Sequence, residues 1–106
     1  MGAKKKPRTV RRALDRETVK LAQQREKLAN LEPGGSPSRP IEVVSASLVE
    51  VTAEAMRCPR CDGPLRVEEH AAQTLNGVAL RIAWVRCRDC GHRRAIYFRI
   101  MMALPN

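Results

Sequence analysis

The sequence predicts a small metal-bound β domain, a three-stranded antiparallel sheet, preceded by an N-terminal helix and a flexible linker. Three features lead there: four cysteines in two close pairs, an Asn76-Gly77 turn between alternating runs, and a helix-forming stretch closed by Glu32-Pro33-Gly34-Gly35. The chain has 106 residues and only three aromatics, Trp84, Tyr97 and Phe98. Small domains bury a modest share of their surface, so something beyond apolar burial is expected to hold this one.

Residues 1–32 read as a basic tail and an amphipathic helix. From Thr9 to Leu31 the residues are mainly Arg, Lys, Gln, Glu, Leu and Ala, all good helix formers. Thr9 is placed to cap the helix, and Glu32 before Pro33 leaves the helical region. Leu14, Leu21 and Leu28 recur every seven residues, with Val10 and Leu31 near the same face. Arg11, Thr18 and Arg25 fill the alternate heptad positions, which suits a solvated or docking helix better than a coiled coil. Residues 33–56 read as a linker with a possible short strand. Gly34 to Pro40 has linker composition. Ile41 to Thr52 is rich in Val, Ile, Ser and Thr, which predicts an extended segment, although its alternation slips at Val43-Val44 and Leu48-Val49.

Residues 57–100 form the metal-bound domain, and 101–106 a C-terminal tail. Asn76-Gly77 is a strong two-residue hairpin signal. Pairing Leu75 with Val78 puts Ala71 opposite Ile82, Glu69 opposite Trp84, Val67 opposite Arg86 and Leu65 opposite Arg88. One face then collects Leu65, Val67, Ala71, Leu75, Val78, Leu80, Ile82 and Trp84, and is expected to be buried. The other collects Arg66, Glu68, His70, Ala72, Thr74, Ala79, Arg81 and Ala83. Glu69 and Arg86 interrupt the apolar face as diagonal neighbours, placed for an ion pair. The register brings Cys61 level with His92, so both cysteine pairs sit at one end of the hairpin. Arg94 to Ile100 reads as a third strand, with Ile96, Phe98 and Ile100 on one face and Tyr97 and Arg99 on the other.

The pairs are Cys58-Pro59-Arg60-Cys61 and Cys87-Arg88-Asp89-Cys90-Gly91. Without an export signal, such pairs fit metal ligation in a reducing compartment better than disulfides. Zinc takes four such thiolates in a tetrahedron, at about 2.3 Å. Gly91 is placed for a positive φ after the second pair, and Asp62-Gly63 takes that place after the first, one residue later. Two knuckles, a long hairpin and a third strand resemble the zinc-ribbon family over residues 57–100. The resemblance implies one structural Zn²⁺ on Cys58, Cys61, Cys87 and Cys90. Such ribbons occur in transcription factors, ribosomal proteins, enzyme appendages and protein adapters. The first knuckle also looks like a rubredoxin iron knuckle, but the aromatic-rich core of those electron carriers is missing. Some forty residues do not normally fold on their apolar core alone, so the domain is expected to need its metal. Four thiolates leave no open position for water, and no enzyme is expected.

The net charge of +9 is uneven. Residues 1–40 carry eleven Lys and Arg against four acids, and residues 41–106 nine Arg against seven acids. Lys4, Lys5, Lys6, Arg8, Arg11, Arg12 and Arg16 form a cluster that attracts polyanions by counterion release or serves as a solubilising tail. Arg57, Arg60, Arg86, Arg88, Arg93 and Arg94 lie near the metal end. They suit phosphate contact or stabilisation of a dianionic metal–thiolate centre. The candidate nucleic-acid residues are Lys4, Lys5, Lys6, Arg8, Arg11, Arg12, Arg60, Arg88, Arg93 and Arg94. Binding of RNA or DNA is therefore expected, in the cytoplasm or on the nucleoid. The alternatives are a protein adapter whose helix docks a partner, and a metallochaperone or redox sensor with labile zinc. His92 is read as an ordinary surface histidine, because four cysteines already complete the site, and His70 needs no special role. No membrane span, lipid anchor, secretory signal, small-molecule substrate or catalytic constellation is expected.

Overall fold

The computed structural model describes residues 8–101. Lys4, Lys5 and Lys6 lie outside the described residues. In chain order come helix α1 (Arg8–Leu31), strand β1 (Ile41–Val43), helix α2 (Ser47–Ala55) and strands β2 (Leu65–Leu75), β3 (Val78–Cys87) and β4 (Arg93–Ile100). The strands make one sheet in the order β1-β4-β3-β2. β2, β3 and β4 pair antiparallel, while β1 pairs parallel to β4, with Ile41 opposite Phe98. The expected three-stranded antiparallel sheet is thus corrected to a four-stranded mixed one. The fourth strand comes from a parallel partner far away in sequence, which local pattern does not reveal.

Thr9 lies inside α1 and does not cap it. At the other end α1 stops at Leu31, before Pro33 as expected. The Leu31 carbonyl, left without an intrahelical partner, accepts a hydrogen bond from Arg39 at 2.6 Å. The Gly34–Arg39 turn closes through the Gly34 amide, which donates to the Arg39 carbonyl. The Gly34 carbonyl in turn accepts from the Tyr97 amide at 2.9 Å, so this turn is tied to β4.

The extended reading of residues 41–52 holds only over β1. The rest enters α2, where Val49 and Ala53, four residues apart, are fully buried on one face. Packing outweighs the strand preference of Val49, Val51 and Thr52 here, and Ala53-Glu54-Ala55 favours helix. Leu48 and Val51 point outward and are exposed.

Asn76 and Gly77 both take positive φ (50° and 77°), as the expected tight turn requires. From Leu75–Val78 to Glu69–Trp84 the register is the predicted one. A bulge between Val67 and Glu69 then shifts it by one residue, so Val67 faces Val85 and Leu65 faces Cys87. A one-residue shift moves side chains to the opposite face, and the predicted apolar face is divided. Leu65 and Val67 join Ala83, Val85, Cys87, Ile96 and Phe98 under α2, where the core lies. Ala71, Leu75, Val78, Leu80, Ile82 and Trp84 stay on the face turned away from α2. Glu69 and Arg86 form no ion pair among the described residues; Glu68 meets Arg93 instead, at 3.3 Å.

The bulge is held from α2. The Glu54 carboxylate accepts the Val67 amide at 3.0 Å, and Glu50, one turn earlier, meets His70 Nδ1 at 3.2 Å. Glu54 thus supplies a partner for a backbone amide where the ladder is interrupted. No helix of the described residues is long and apolar enough to cross a membrane.

Candidate metal centre

The four cysteines converge at one end of the sheet, with every sulfur within 4.8 Å of the others. Cys58 and Cys90 sulfurs are 3.7 Å apart, and those of Cys61 and Cys87 are 3.3 Å apart. A tetrahedron with metal–sulfur bonds of about 2.3 Å has edges of about 3.8 Å, so the donor set fits one thiolate-bound ion. Cys58 and Cys87, the first of each pair, are buried, whereas Cys61 and Cys90 are exposed.

Two equivalent backbone turns position these sulfurs. The Cys58 amide donates to the Gly63 carbonyl at 2.9 Å, and the Cys87 amide to the His92 carbonyl at 2.8 Å. The Asp62 amide returns to the Cys58 carbonyl at 2.8 Å, and the Gly91 amide to the Cys87 carbonyl at 3.0 Å. Between the knuckles, the Arg88 amide donates to the Pro64 carbonyl at 2.9 Å. Gly91 has the expected positive φ of 77°, but in the first knuckle Asp62 takes that conformation, at 64°. The predicted offset of one residue is corrected: the two turns match position for position. Gly63 has another reason to be glycine. A Cβ there would sit 2.9 Å from the Cys87 sulfur and 2.8 Å from an Asp89 carboxylate oxygen.

Charge among the four thiols is shared unequally. The neighbouring Cys87 sulfur, as the better anion, pushes the Cys61 thiol up to about 12. Burial works against a Cys87 thiolate, but the Cys90 and Asp89 amides outweigh it and bring that thiol down to about 7. Burial raises the Cys58 thiol, against opposing amides of Cys61 and Arg60. A bound cation would replace the protons on such a cluster.

The arginines expected near the metal separate into two environments. Arg66, Arg86 and Arg88 line a groove of about 450 Å³ beside Cys87, Cys90 and Gly91, together with Glu68 and Asp89. Arg93 is exposed next to Arg86 and pairs with Glu68. Arg60 is half-buried, opposite Thr18, Val19 and Ala22 of α1. Arg94 turns to the other side, between the Cys58 knuckle and Arg25, Leu28, Ala29 and Glu32 of α1. Burial lowers its pKa, opposed by Glu26, Cys58 and Glu32. Arg94 is thus half-buried between α1 and the Cys58 knuckle. Arg8, Arg11 and Arg12 lie in the first turns of α1, and Arg11 and Arg12 are exposed.

Sequence reasoning missed Arg66, which its pairing with Arg86 brings to the cluster. It also missed α1 as a neighbour of the site. His92 is half-buried, with its Nε2 3.5 Å from a Glu26 carboxylate oxygen. Burial lowers the His92 pKa, Glu26 raises it, and Arg60 and Arg94 lower it further. The surface reading of His92 is thus corrected. No family model, curated protein or solved structure matches the chain.

Proposed function

We propose that this chain is a non-enzymatic zinc-ribbon protein that holds one structural Zn²⁺ and binds RNA or DNA. Cys58, Cys61, Cys87 and Cys90 would hold the ion, and soft thiolates suit zinc far better than hard cations. The ion supplies the crosslink that the small apolar core lacks. With four protein ligands it has no open position for a reacting water, in keeping with a structural role. Four thiolate ligands suit a reducing compartment, which is consistent with the cytoplasm or the nucleoid.

The observation that carries nucleic-acid binding is the gathering of Arg66, Arg86 and Arg88 in one groove beside the second knuckle. The basic segment from Lys4 to Arg16 adds sequence-independent attraction to phosphates. Titration of the zinc-loaded full chain with a labelled oligonucleotide, from low to physiological salt, tests this reading. Affinity falling with salt supports it, and an absence of binding at every salt concentration removes it.

A protein adapter is the second reading, favoured by one specific observation. Leu14, Leu21 and Leu28 of α1 are 44%, 55% and 61% exposed, so much of the apolar stripe is left uncovered. Charged substitutions at these leucines that abolish a specific protein contact but spare oligonucleotide binding would select this alternative.

A further inference from the structure

The face of the sheet turned away from α2 has a chemical order that the groove arginines alone do not explain. Among the described residues no helix packs on it, because α2 lies over Ala83, Val85, Ile96 and Phe98 on the opposite side. Nearest the cysteine cluster, Arg66, Arg86 and Arg93 stand abreast across β2, β3 and β4 in direct cross-strand register. Like charges directly opposite each other cost stability. Only Arg93 has an acid partner, Glu68; Arg66 and Arg86 enter no ion pair among the described residues.

Behind this row, Trp84 is flanked by Glu69 and Ala95, and Ile82 by Ala71 and Tyr97. The alanines keep the flanks low, so Trp84 and Tyr97 stand as diagonal neighbours over the buried Ile82. Both aromatics are half-buried and retain accessible surface. An apolar partner would leave the arginine row unmatched. An anion alone would leave the aromatic pair unused. A polymer with regularly spaced phosphates and flat bases matches both, and its bases are free to stack only when it is single-stranded.

We propose that this face is a platform for single-stranded nucleic acid, with phosphates on Arg66, Arg86 and Arg93 and bases on Trp84 and Tyr97. The inference rests on the nucleic-acid reading above and names its site and its strand form. Trp84 is the only tryptophan in the chain and reports directly on the face.

The zinc-loaded full chain is titrated with an unlabelled pyrimidine oligonucleotide, the matching duplex and poly-glutamate, following tryptophan emission, while labelled oligonucleotide gives affinity. The single strand is expected to quench Trp84 and to bind more tightly than the duplex. R66A combined with R86A removes two phosphate contacts and a like-charge pair, so the fold should persist, as circular dichroism would verify. Affinity should drop at least tenfold, and the salt slope should shrink by about 1.4, two contacts at about 0.7 each. Y97L, which keeps apolar cover over Ile82, should cost about tenfold, within the range for loss of one stacked base.

Salt-dependent oligonucleotide binding that leaves Trp84 emission and the R66A/R86A affinity unchanged overturns the platform, while nucleic-acid binding through the N-terminal arm stands. Quenching by poly-glutamate equal to that by oligonucleotide overturns it in favour of an acidic protein partner. Failure to bind any nucleic acid removes both proposals.

Discussion

The two cysteine knuckles share their backbone hydrogen bonds yet solve the same turn with different residues. After its second cysteine, one places Asp62 at positive φ and follows it with a buried Gly63; the other places Gly91 there and follows it with His92. The first knuckle is constrained by space, since Gly63 lies against the Cys87 sulfur of the opposite pair. The second is constrained by backbone conformation: an added Cβ at Gly91 would meet nothing closer than an Arg86 nitrogen at 4.0 Å. A shared turn therefore does not imply a shared sensitivity to mutation.

The largest effect should come from the sulfurs, where the knuckles are equivalent. C58S or C87S should each abolish the cooperative fold of the sheet, as should a strong chelator, because structural zinc contributes about 10–16 kcal/mol in small fingers. Far-UV circular dichroism with and without chelator checks this. A milder response at one knuckle would break the equivalence. Acidification should act likewise, with metal released as pH falls and protons compete for the thiolates.

G63A should follow, at about 1–3 kcal/mol, by forcing its Cβ against a metal-ligating sulfur. Because Asp89 can rotate away and Cys87 cannot, metal affinity should fall along with stability, read by chelator competition. G91A should cost about 1–2 kcal/mol through backbone strain alone, with metal affinity less changed; equal losses of metal affinity in the two variants would contradict the distinction. D62G should act in the opposite sense and stabilise the chain by about 1 kcal/mol or less, because Asp62 already tolerates its conformation at some cost. H92A should have the smallest effect, below about 1 kcal/mol, since its contact with Glu26 is long. Thermal melts of the zinc-loaded protein order these four.

Much of this comparison was legible in the sequence. Cysteine spacing anticipated the cluster of four sulfurs, Asn76-Gly77 set the turn, and alternation placed Ile96 and Phe98 on a common face. What escaped has physical causes. The bulge before Glu69 carries no glycine or proline, and depends on Glu54 reaching it from α2. Below that bulge, Leu65 and Val67 change face, so the buried residues are divided between the two sides of the sheet, with Leu80 and Ile82 on the aromatic side. α2 was hidden by β-branched residues whose helix is stabilised by packing of Val49 and Ala53. β1 contributes only three residues and a parallel partner, which is too little to register as a local pattern. Contacts between α1 and the cysteine end bring Glu26 to His92 and Leu28 and Ala29 beside Arg94, all far apart in sequence, and no periodicity links them.

Native mass spectrometry of the full chain, purified under reducing conditions, tests the metal centre most directly. One zinc per chain, lost together when C58S or C87S is introduced, is the predicted result. A folded, fully reduced chain whose mass leaves no room for any metal would contradict it.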